Sequence, residues 1–124
     1  GLTGTKPNCE EGECGTCTVL LDDLPVNSCL LLAVRAHGKR VRTIEGVSGN
    51  GDMHPVQQAL IEHGSIQCGY CTPGVAMSAV ALFEANPHPT DDEIAQALEG
   101  NICRCTGYVN IRRALRAVAG GGDA

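Results

Sequence analysis

Eight cysteines in a chain of 124 residues constrain what this sequence can fold into. They fall into two sets of four. The first set is Cys9, Cys14, Cys17 and Cys29, and the second set is Cys68, Cys71, Cys103 and Cys105. The sequence has one Phe, two Tyr and no Trp, so a core must be built mainly from Val, Leu, Ile and Ala. The chain could form two small modules, and modules of about 50 to 70 residues bury so little apolar surface that we expect metals or crosslinks to stabilise them.

The remaining composition argues against two classes of function. The formal net charge is −5 and the chain has no dense basic face, so no nucleic-acid partner is expected. The longest weakly polar run, Gly74 to Phe83, is too short to span a bilayer, which argues against direct membrane insertion. The first residues lack the charged start and apolar stretch of a signal peptide. These features predict a cytoplasmic protein.

A cytoplasmic location bears on the chemistry of the cysteines. Disulfides are rare in that compartment, so a dense cysteine pattern there favours metal binding or redox chemistry. The alternative is a secreted scaffold crosslinked by disulfides. That alternative fits poorly, because disulfide-dense scaffolds tend to be rich in loops and the second half of this chain has a helical pattern.

The chain divides at "VSGNGD", residues 47–52, where turn-forming residues cluster. Residues 1–47 are predicted to be rich in β-structure, with strands over residues 18–23, 26–34 and 39–46. A turn is predicted at Leu24-Pro25, and residues 36–39 are predicted to form a hairpin connection. The first module is therefore expected to be a small sheet next to a cysteine loop.

Residues 53–119 have a helical period and are predicted to form a compact bundle of four helices. Pro55 is suited to the first turn of the first helix, and the second helix is predicted to be capped by Thr72 with Pro73 at its first helical position. The second helix is apolar nearly all round, so it is predicted to be the buried central helix. The third begins with a capping box at Thr90 to Glu93.

The last helix is predicted from about Tyr108 to Ala119, with Ile111, Ala114 and Leu115 facing inward. The glycine-rich end of the chain, residues 120–124, is predicted to fray.

The first cysteine set has the spacing C-x4-C-x2-C with a distant fourth cysteine, which is the spacing of plant-type [2Fe–2S] ferredoxins. Such a cluster is an anion, and it needs four thiolates with backbone N–H groups directed at its sulfurs. Gly12 and Gly15 allow the loop to fold its amides around the cluster. Zinc is the alternative, although structural zinc prefers two closely spaced pairs of ligands.

The second cysteine set reads C-x2-C followed by C-x-C, which by itself also suits zinc. Its position adds information, because Cys71 lies directly before one predicted helix, and Cys103 and Cys105 lie before another. Helix N-termini have free N–H groups and a dipole that favours an anion. This position favours a negatively charged cluster.

Both cysteine sets, together with "QCGYCTPG" (67–74) and "GNICRCTGY" (100–108), resemble the small iron–sulfur subunit of the molybdenum hydroxylase family. That family includes xanthine dehydrogenase, aldehyde oxidoreductase and aerobic carbon monoxide dehydrogenase. The similarity extends from "GLTGTK" to about Val118. It implies an α+β fold with a β-grasp ferredoxin domain over residues 1–47 and a four-helix bundle over residues 53–119, each with one [2Fe–2S] cluster.

The resemblance also implies partners. A large subunit is expected to carry molybdenum on a pterin cytosine dinucleotide, and a medium subunit to carry FAD. Electrons are expected to pass from molybdenum to the second cysteine set, then to the first, then to the flavin. Gln67 and Cys105 resemble family positions that approach the pterin. A buried glutamine that satisfies loop amides is the alternative for Gln67.

Three departures from the family pattern stand out. The family normally has a further hairpin and helix ahead of "GLTGTK", so the β-grasp sheet is expected to be incomplete at its N-terminal side. Asn8 stands where the family often has Gly, and Thr16 stands where the family usually has Ala.

Two other functions remain open at this stage. The chain could deliver electrons to a cytochrome in place of a flavin subunit, or it could be a colourless interaction protein stabilised by zinc. The sequence shows no nucleophile, acid–base pair or phosphate loop, so the substrate-oxidising site is expected on another chain.

Overall fold

A computed structural model describes residues 1–120, so most of the end predicted to fray, residues 121–124, lies outside the described residues. Over residues 1–120 the fold is α+β, as predicted, with a three-stranded sheet followed by four helices. The strands are β1 (Thr18–Leu21), β2 (Leu24–Asn27) and β3 (Val41–Arg42). The helices are α1 (Pro55–Glu62), α2 (Thr72–Ala85), α3 (Asp91–Leu98) and α4 (Val109–Val118).

Strand β1 lies at the centre of the sheet, and β2 and β3 pair with it antiparallel on either side. All four residues of β1 are buried, and Leu20 has no exposed surface. The strand packs against α2, which places the cysteine loop before β1 next to the N-terminal end of that helix. The sheet therefore positions the first cysteine set against the bundle.

The predicted turn at Leu24-Pro25 is wrong. The chain turns at Asp22 and Asp23, whose φ angles of 48° and 70° are left-handed, as the tight turns of hairpins require. Leu24 and Pro25 instead belong to β2 and lie opposite Leu21 and Leu20. Proline is tolerated there because β2 is an edge strand, where a missing N–H leaves the ladder intact.

The predicted strands over residues 26–34 and 39–46 are much shorter in the structure. β2 ends at Asn27, and the chain continues through short 3₁₀ turns. A turn does form at residues 36–39, where the Lys39 N–H donates to the Ala36 carbonyl at 3.1 Å, but it does not connect two paired strands. Leu32 and Val34 are 70% and 75% exposed, so the apolar residues at 30–34 do not pack as a strand of the sheet. The Asn27 side chain instead donates to the Gly12 carbonyl at 2.8 Å and holds the chain against the cysteine loop.

The helices begin within one residue of the predicted positions. Pro55 lies in the first turn of α1, and α2 begins at Thr72 with Pro73 in its first turn. The predicted cap at Thr72 is wrong, because Cys71 is the cap and its side chain forms no capping hydrogen bond. α2 is buried around nearly its whole circumference, which confirms it as the central helix. At the start of α3 the Thr90 hydroxyl accepts the Glu93 N–H, while the Glu93 carboxylate accepts the Thr90 N–H.

Helix α4 is amphipathic, as predicted, with Ile111, Ala114 and Leu115 buried. One cluster of buried side chains joins Leu20 of the sheet to the helices. The two predicted domains, 1–47 and 53–119, therefore share a core, and their separation as domains stays a prediction. No helix among residues 1–120 combines the length and the apolar character needed to cross a membrane.

Candidate iron–sulfur sites

The first site is built on the loop that leads into β1. Gly12 and Gly15 have φ angles of 82° and 70°, which turn the loop back on itself. A Cβ atom on Gly15 would lie 2.1 Å from the carbonyl oxygen of Gly100, so glycine is required there. Within this loop Cys14 is buried and Cys9 is half-buried.

The four cysteines predicted as the first ligand set are neighbours in the structure. The Cys29 thiol, in the turn after β2, contacts the Cys17 thiol, and this contact and burial raise the pKa of Cys29. The nearby charge of Cys9 also raises the pKa of Cys29. The Cys14 thiol lies 3.4 Å from the Thr16 hydroxyl. Hydrogen bonds from the Thr16 side chain and backbone lower the pKa of Cys14 to about 6.

The second site is built from two loops that are distant in sequence. The sulfurs of Cys68 and Cys105 lie 3.5 Å apart, although 37 positions separate the two residues. Cys71 contacts Cys103. The pKa of Cys71 is raised to about 12, mainly by burial and in smaller part by this contact. The second set therefore meets as two pairs of thiols.

Helix starts position these two loops. Cys71 is the N-terminal cap of α2, and the preceding loop directs the Tyr70 N–H at the Cys68 sulfur over 3.5 Å. This N–H lowers the pKa of Cys68, and contact with Cys105 lowers it further. Both cysteines of the C-x2-C motif are thus placed by the first turn of one helix and the loop before it.

The loop before α4 is stabilised through Tyr108. Its hydroxyl accepts the Cys103 N–H at 2.8 Å and donates to the Asn101 carbonyl at 3.2 Å. The Thr106 hydroxyl lies 3.0 Å from the Cys103 sulfur. Burial raises the pKa of Cys103, but the hydrogen bonds from Thr106, the Cys105 backbone and Cys71 together outweigh it, so the pKa is lowered overall.

The thiol arrangement can be tested against the two metals that the sequence left open. Within residues 1–120, no three His, Cys, Asp or Glu side chains are positioned to hold one metal ion. The sulfurs meet in pairs instead, as Cys68 does with Cys105 and Cys71 with Cys103. Four cysteines serve two irons in a [2Fe–2S] cluster, so each iron takes a pair of thiolates. The paired thiols fit that donor set.

The two sites are in direct contact. The Ile102 N–H, next to Cys103, donates to the Cys14 carbonyl at 3.0 Å. Asn101 is 3% exposed, and its side chain donates to the Gly15 carbonyl at 3.2 Å. A cleft of about 300 Å³ is lined by cysteines of both sets. A larger cleft of about 540 Å³, beside α3 and α4, is lined by none of them.

Asn101 was not identified from the sequence as a functional residue. It stands inside the motif "GNICRCTGY", but a single asparagine in a loop gives no local signal that it will be buried. Its burial arises because the first cysteine loop packs against the loop before Cys103.

The second site opens to the surface. Cys68, Cys105 and Gln67 are exposed, and the neighbouring Tyr70 and Ile102 are 44% and 53% exposed. Within residues 1–120 the Gln67 side chain forms no hydrogen bond. The alternative of a buried glutamine that satisfies loop amides is therefore not what the structure shows.

Comparisons with known proteins agree with this geometry. Residues 43–116 match the family described as "[2Fe-2S] binding domain". The chain is 50% identical, over 116 residues, to the nicotinate dehydrogenase small FeS subunit of Eubacterium barkeri. That alignment covers 94% of this chain and 74% of the relative.

Solved structures give the same result. Quinoline 2-oxidoreductase from Pseudomonas putida 86 matches with a TM-score of 0.89 and 43% identity, over 100% of this chain and 80% of that chain. Aldehyde oxidoreductase from Desulfovibrio gigas matches with a TM-score of 0.88 and 40% identity, over 95% of this chain and 13% of that longer chain. The chain therefore belongs to the small [2Fe–2S]-binding subunits of the molybdenum hydroxylase family, and it is an electron-transfer part of an oxidoreductase whose active site lies elsewhere.

Proposed function

We propose that this chain binds two [2Fe–2S] clusters and passes electrons from a molybdenum–pterin cytosine dinucleotide centre on a large subunit to FAD on a medium subunit. The observation that carries the proposal is the meeting of distant cysteines as thiol pairs, above all Cys68 with Cys105. The first cluster is held by Cys9, Cys14, Cys17 and Cys29, and the second by Cys68, Cys71, Cys103 and Cys105. Each cluster, when bound, takes up and releases one electron at a time.

The backbone supports both ligand sets in the same way. The Glu11 N–H is directed at the Cys9 sulfur and the Tyr70 N–H at the Cys68 sulfur, each over 3.5 Å. Such amides stabilise negative charge on the sulfurs they face. Cys14 and Cys103 are each only 8% exposed, so water has little access to these two proposed ligands.

The exposed end of the second site is proposed to face the molybdenum subunit. Ile66, Tyr70 and Ile102 expose apolar surface around Cys68 and Cys105, as expected for the centre of a permanent interface. Gln67 and Cys105 are proposed to approach the pterin there. The acidic side chains of residues 10–13 are exposed, and that face is proposed to lie nearer the flavin.

The cofactor content tests the proposal first. The purified complex should contain about four irons and about four acid-labile sulfides per small subunit, with the visible absorbance of iron–sulfur clusters. A colourless protein that contains zinc, or a single binuclear cluster, would contradict it. Finding haem and no flavin among the co-purifying cofactors would favour delivery to a cytochrome, the second candidate. A cytoplasmic location also stays part of the proposal.

Gln67→Glu tests the proposed pterin contact. A negative charge against the pterin should slow reduction of the second cluster by substrate about tenfold, or ~1.4 kcal/mol in the barrier, with the iron content unchanged. Gln96→Glu, an exposed change on α3, is the matched control and should leave the rate unaltered. Rapid-freeze single-turnover experiments measure both rates. Equal rates in the two variants would count against the pterin contact.

A further inference from the structure

The second site contains a hydroxyl group that the ligand assignment does not use. The Thr106 oxygen lies 3.0 Å from the Cys103 sulfur and accepts the Tyr108 N–H at 3.1 Å. A sulfur bound to iron carries no proton, so in this contact only the threonine hydroxyl can donate. Within residues 1–120 the Cys103 sulfur is the one acceptor that this hydroxyl reaches.

The first site contains a similar hydroxyl in a different hydrogen-bonding environment. The Thr16 hydroxyl has two acceptors in reach of its proton, the Cys14 sulfur at 3.4 Å and the Lys6 carbonyl at 3.2 Å. A hydroxyl has a single proton to donate. The two threonines therefore differ, because Thr16 shares its proton between a sulfur and a carbonyl oxygen, whereas Thr106 directs its proton at a ligand sulfur alone.

Burial makes the Thr106 contact effective. Cys103 is 8% exposed, so water has little access to replace a missing hydrogen bond to its sulfur. Hydrogen bonds are electrostatically stronger in such surroundings than in water. Reduction adds negative charge to the ligand sulfurs, and a hydrogen-bond donor stabilises the more negative state.

We propose that Thr106 is a positioning residue whose hydroxyl donates to the ligand sulfur of Cys103 and raises the reduction potential of the second cluster. The inference rests on the proposed two-cluster content. In the reduction step one electron enters from the reductant, no bond forms or breaks, and the proton stays on Thr106. The Thr16 hydroxyl has a smaller effect on the first cluster, because its proton is shared with a backbone carbonyl.

Reductive titration of the purified complex with dithionite tests the proposal, with the electron paramagnetic resonance signals of the two clusters followed separately. Thr106→Val removes the donor and keeps the shape of the side chain. The equilibrium constant for reduction of the second cluster should fall about tenfold, which is ~59 mV for one electron. Thr106→Ser keeps the hydroxyl and should restore the constant to within about threefold of the original protein, ~30 mV or less. The first cluster should be unchanged in both variants.

Thr16→Val is the matched control at the other site. It should change the equilibrium constant for reduction of the first cluster by less than about threefold and leave that of the second cluster unchanged. The proposal would be overturned if Thr106→Val left the reduction potential of the second cluster unshifted, or if Thr106→Ser shifted that potential equally. If Thr106→Val fails to retain the second cluster, Thr106→Ala is titrated instead. Loss of that cluster in both variants would also overturn it, because the hydroxyl would then be needed to build the site.

The cofactor content of the unmodified protein separates this inference from the proposed function. Fewer than about four irons in the original complex would contradict the two-cluster proposal. Four irons with no response to Thr106→Val would contradict only the role of Thr106.

Discussion

The two cysteine sites of this protein reach similar donor sets by different routes. The first comes from one loop and the turn after β2, so its four cysteines are close in sequence. The second joins two loops, and its Cys68 and Cys105 sulfurs meet across 37 positions of chain. The first site is therefore set largely by the conformation of a loop, whereas the second exists only when the helices that carry its loops are packed.

Their exposure differs as well. In the first site Cys14 and Cys17 are buried, and no cysteine of the set is fully exposed. In the second site Cys68 and Cys105 are exposed although Cys103 is buried. The chain covers its first site more completely than its second, which is open on the side expected to meet another subunit.

The largest effects are expected from removing one ligand at each site. Cys14→Ser should remove the first cluster, lower the iron content from about four to about two, and leave the bundle folded. Cys103→Ser should remove the second cluster and also lower the thermal midpoint, because metal ligation contributes folding free energy to the two loops it joins. Iron analysis and thermal unfolding measure the contrast.

The same two variants separate the steps of electron transfer. In Cys14→Ser, substrate should still reduce the second cluster in a single turnover, while delivery to the natural acceptor stops. In Cys103→Ser, transfer should stop at the first step. Wild-type turnover with the natural acceptor in either variant would contradict a linear relay.

Gly74→Ala should disrupt the packing of the first cysteine loop against the start of α2. A Cβ atom on Gly74 would lie 2.1 Å from the carbonyl oxygen of Gly15, and backbone atoms on both sides prevent easy relief. We expect the free energy of unfolding to fall by about 1–3 kcal/mol. Gly100→Ala is the control, because its Cβ would meet nothing within 4 Å. Equal chemical-denaturation curves for the two variants would show that this close approach is unimportant.

Asn101→Ala should have a smaller effect at the same junction. It removes the hydrogen bond from the buried amide to the Gly15 carbonyl, but that carbonyl keeps the N–H and the hydroxyl of Thr18 as donors. The Asn101 side-chain oxygen is buried without a partner within residues 1–120, which limits what the wild-type amide contributes. We expect a loss of about 1 kcal/mol in unfolding free energy, with both cluster signals retained. Loss of either signal would show that Asn101 is needed to assemble a site.

The smallest effect is expected away from the sites, at the ion pair between β3 and α2. Arg42 donates to Glu84 at 2.9 Å and lowers the pKa of that carboxyl, so the pair is charged at neutral pH. Arg42→Ala should lower the unfolding free energy by about 0.5–1 kcal/mol, and ~1 M salt should reduce the difference. Lys39→Ala, which breaks a more exposed pair with Asp22 inside the sheet region, is the control and should cause no measurable change.

The features that the sequence predicted well are local ones. The capping box of Thr90 and Glu93, the proline in the first turn of α1 and the inward face of α4 each depend on residues within one or two helical turns. A side chain reaches such neighbours in any fold that forms the helix. These elements could therefore be predicted without knowledge of their surroundings.

The strands were predicted less well, because a strand needs a partner. The apolar residues after Asn27 resemble a strand in pattern, but no neighbouring strand pairs with them and Leu32 and Val34 are largely exposed. The hairpin turn was placed at Pro25 for a similar reason. The sequence shows that a proline is present, and only the sheet shows that it lies on an edge where proline does no harm.

The same distinction between local and tertiary features applies to the cysteine sites. The sequence by itself determined which residues are candidate ligands, because the spacings C-x4-C-x2-C, C-x2-C and C-x-C are local properties of the chain. Only the tertiary structure decided that Cys68 meets Cys105, that Gly74 lies against Gly15 and that Thr16 shares its proton with a carbonyl while Thr106 directs its proton at a sulfur. Each of these depends on which loops the packed helices and sheet bring within hydrogen-bond distance, and the identity of a residue does not carry that information.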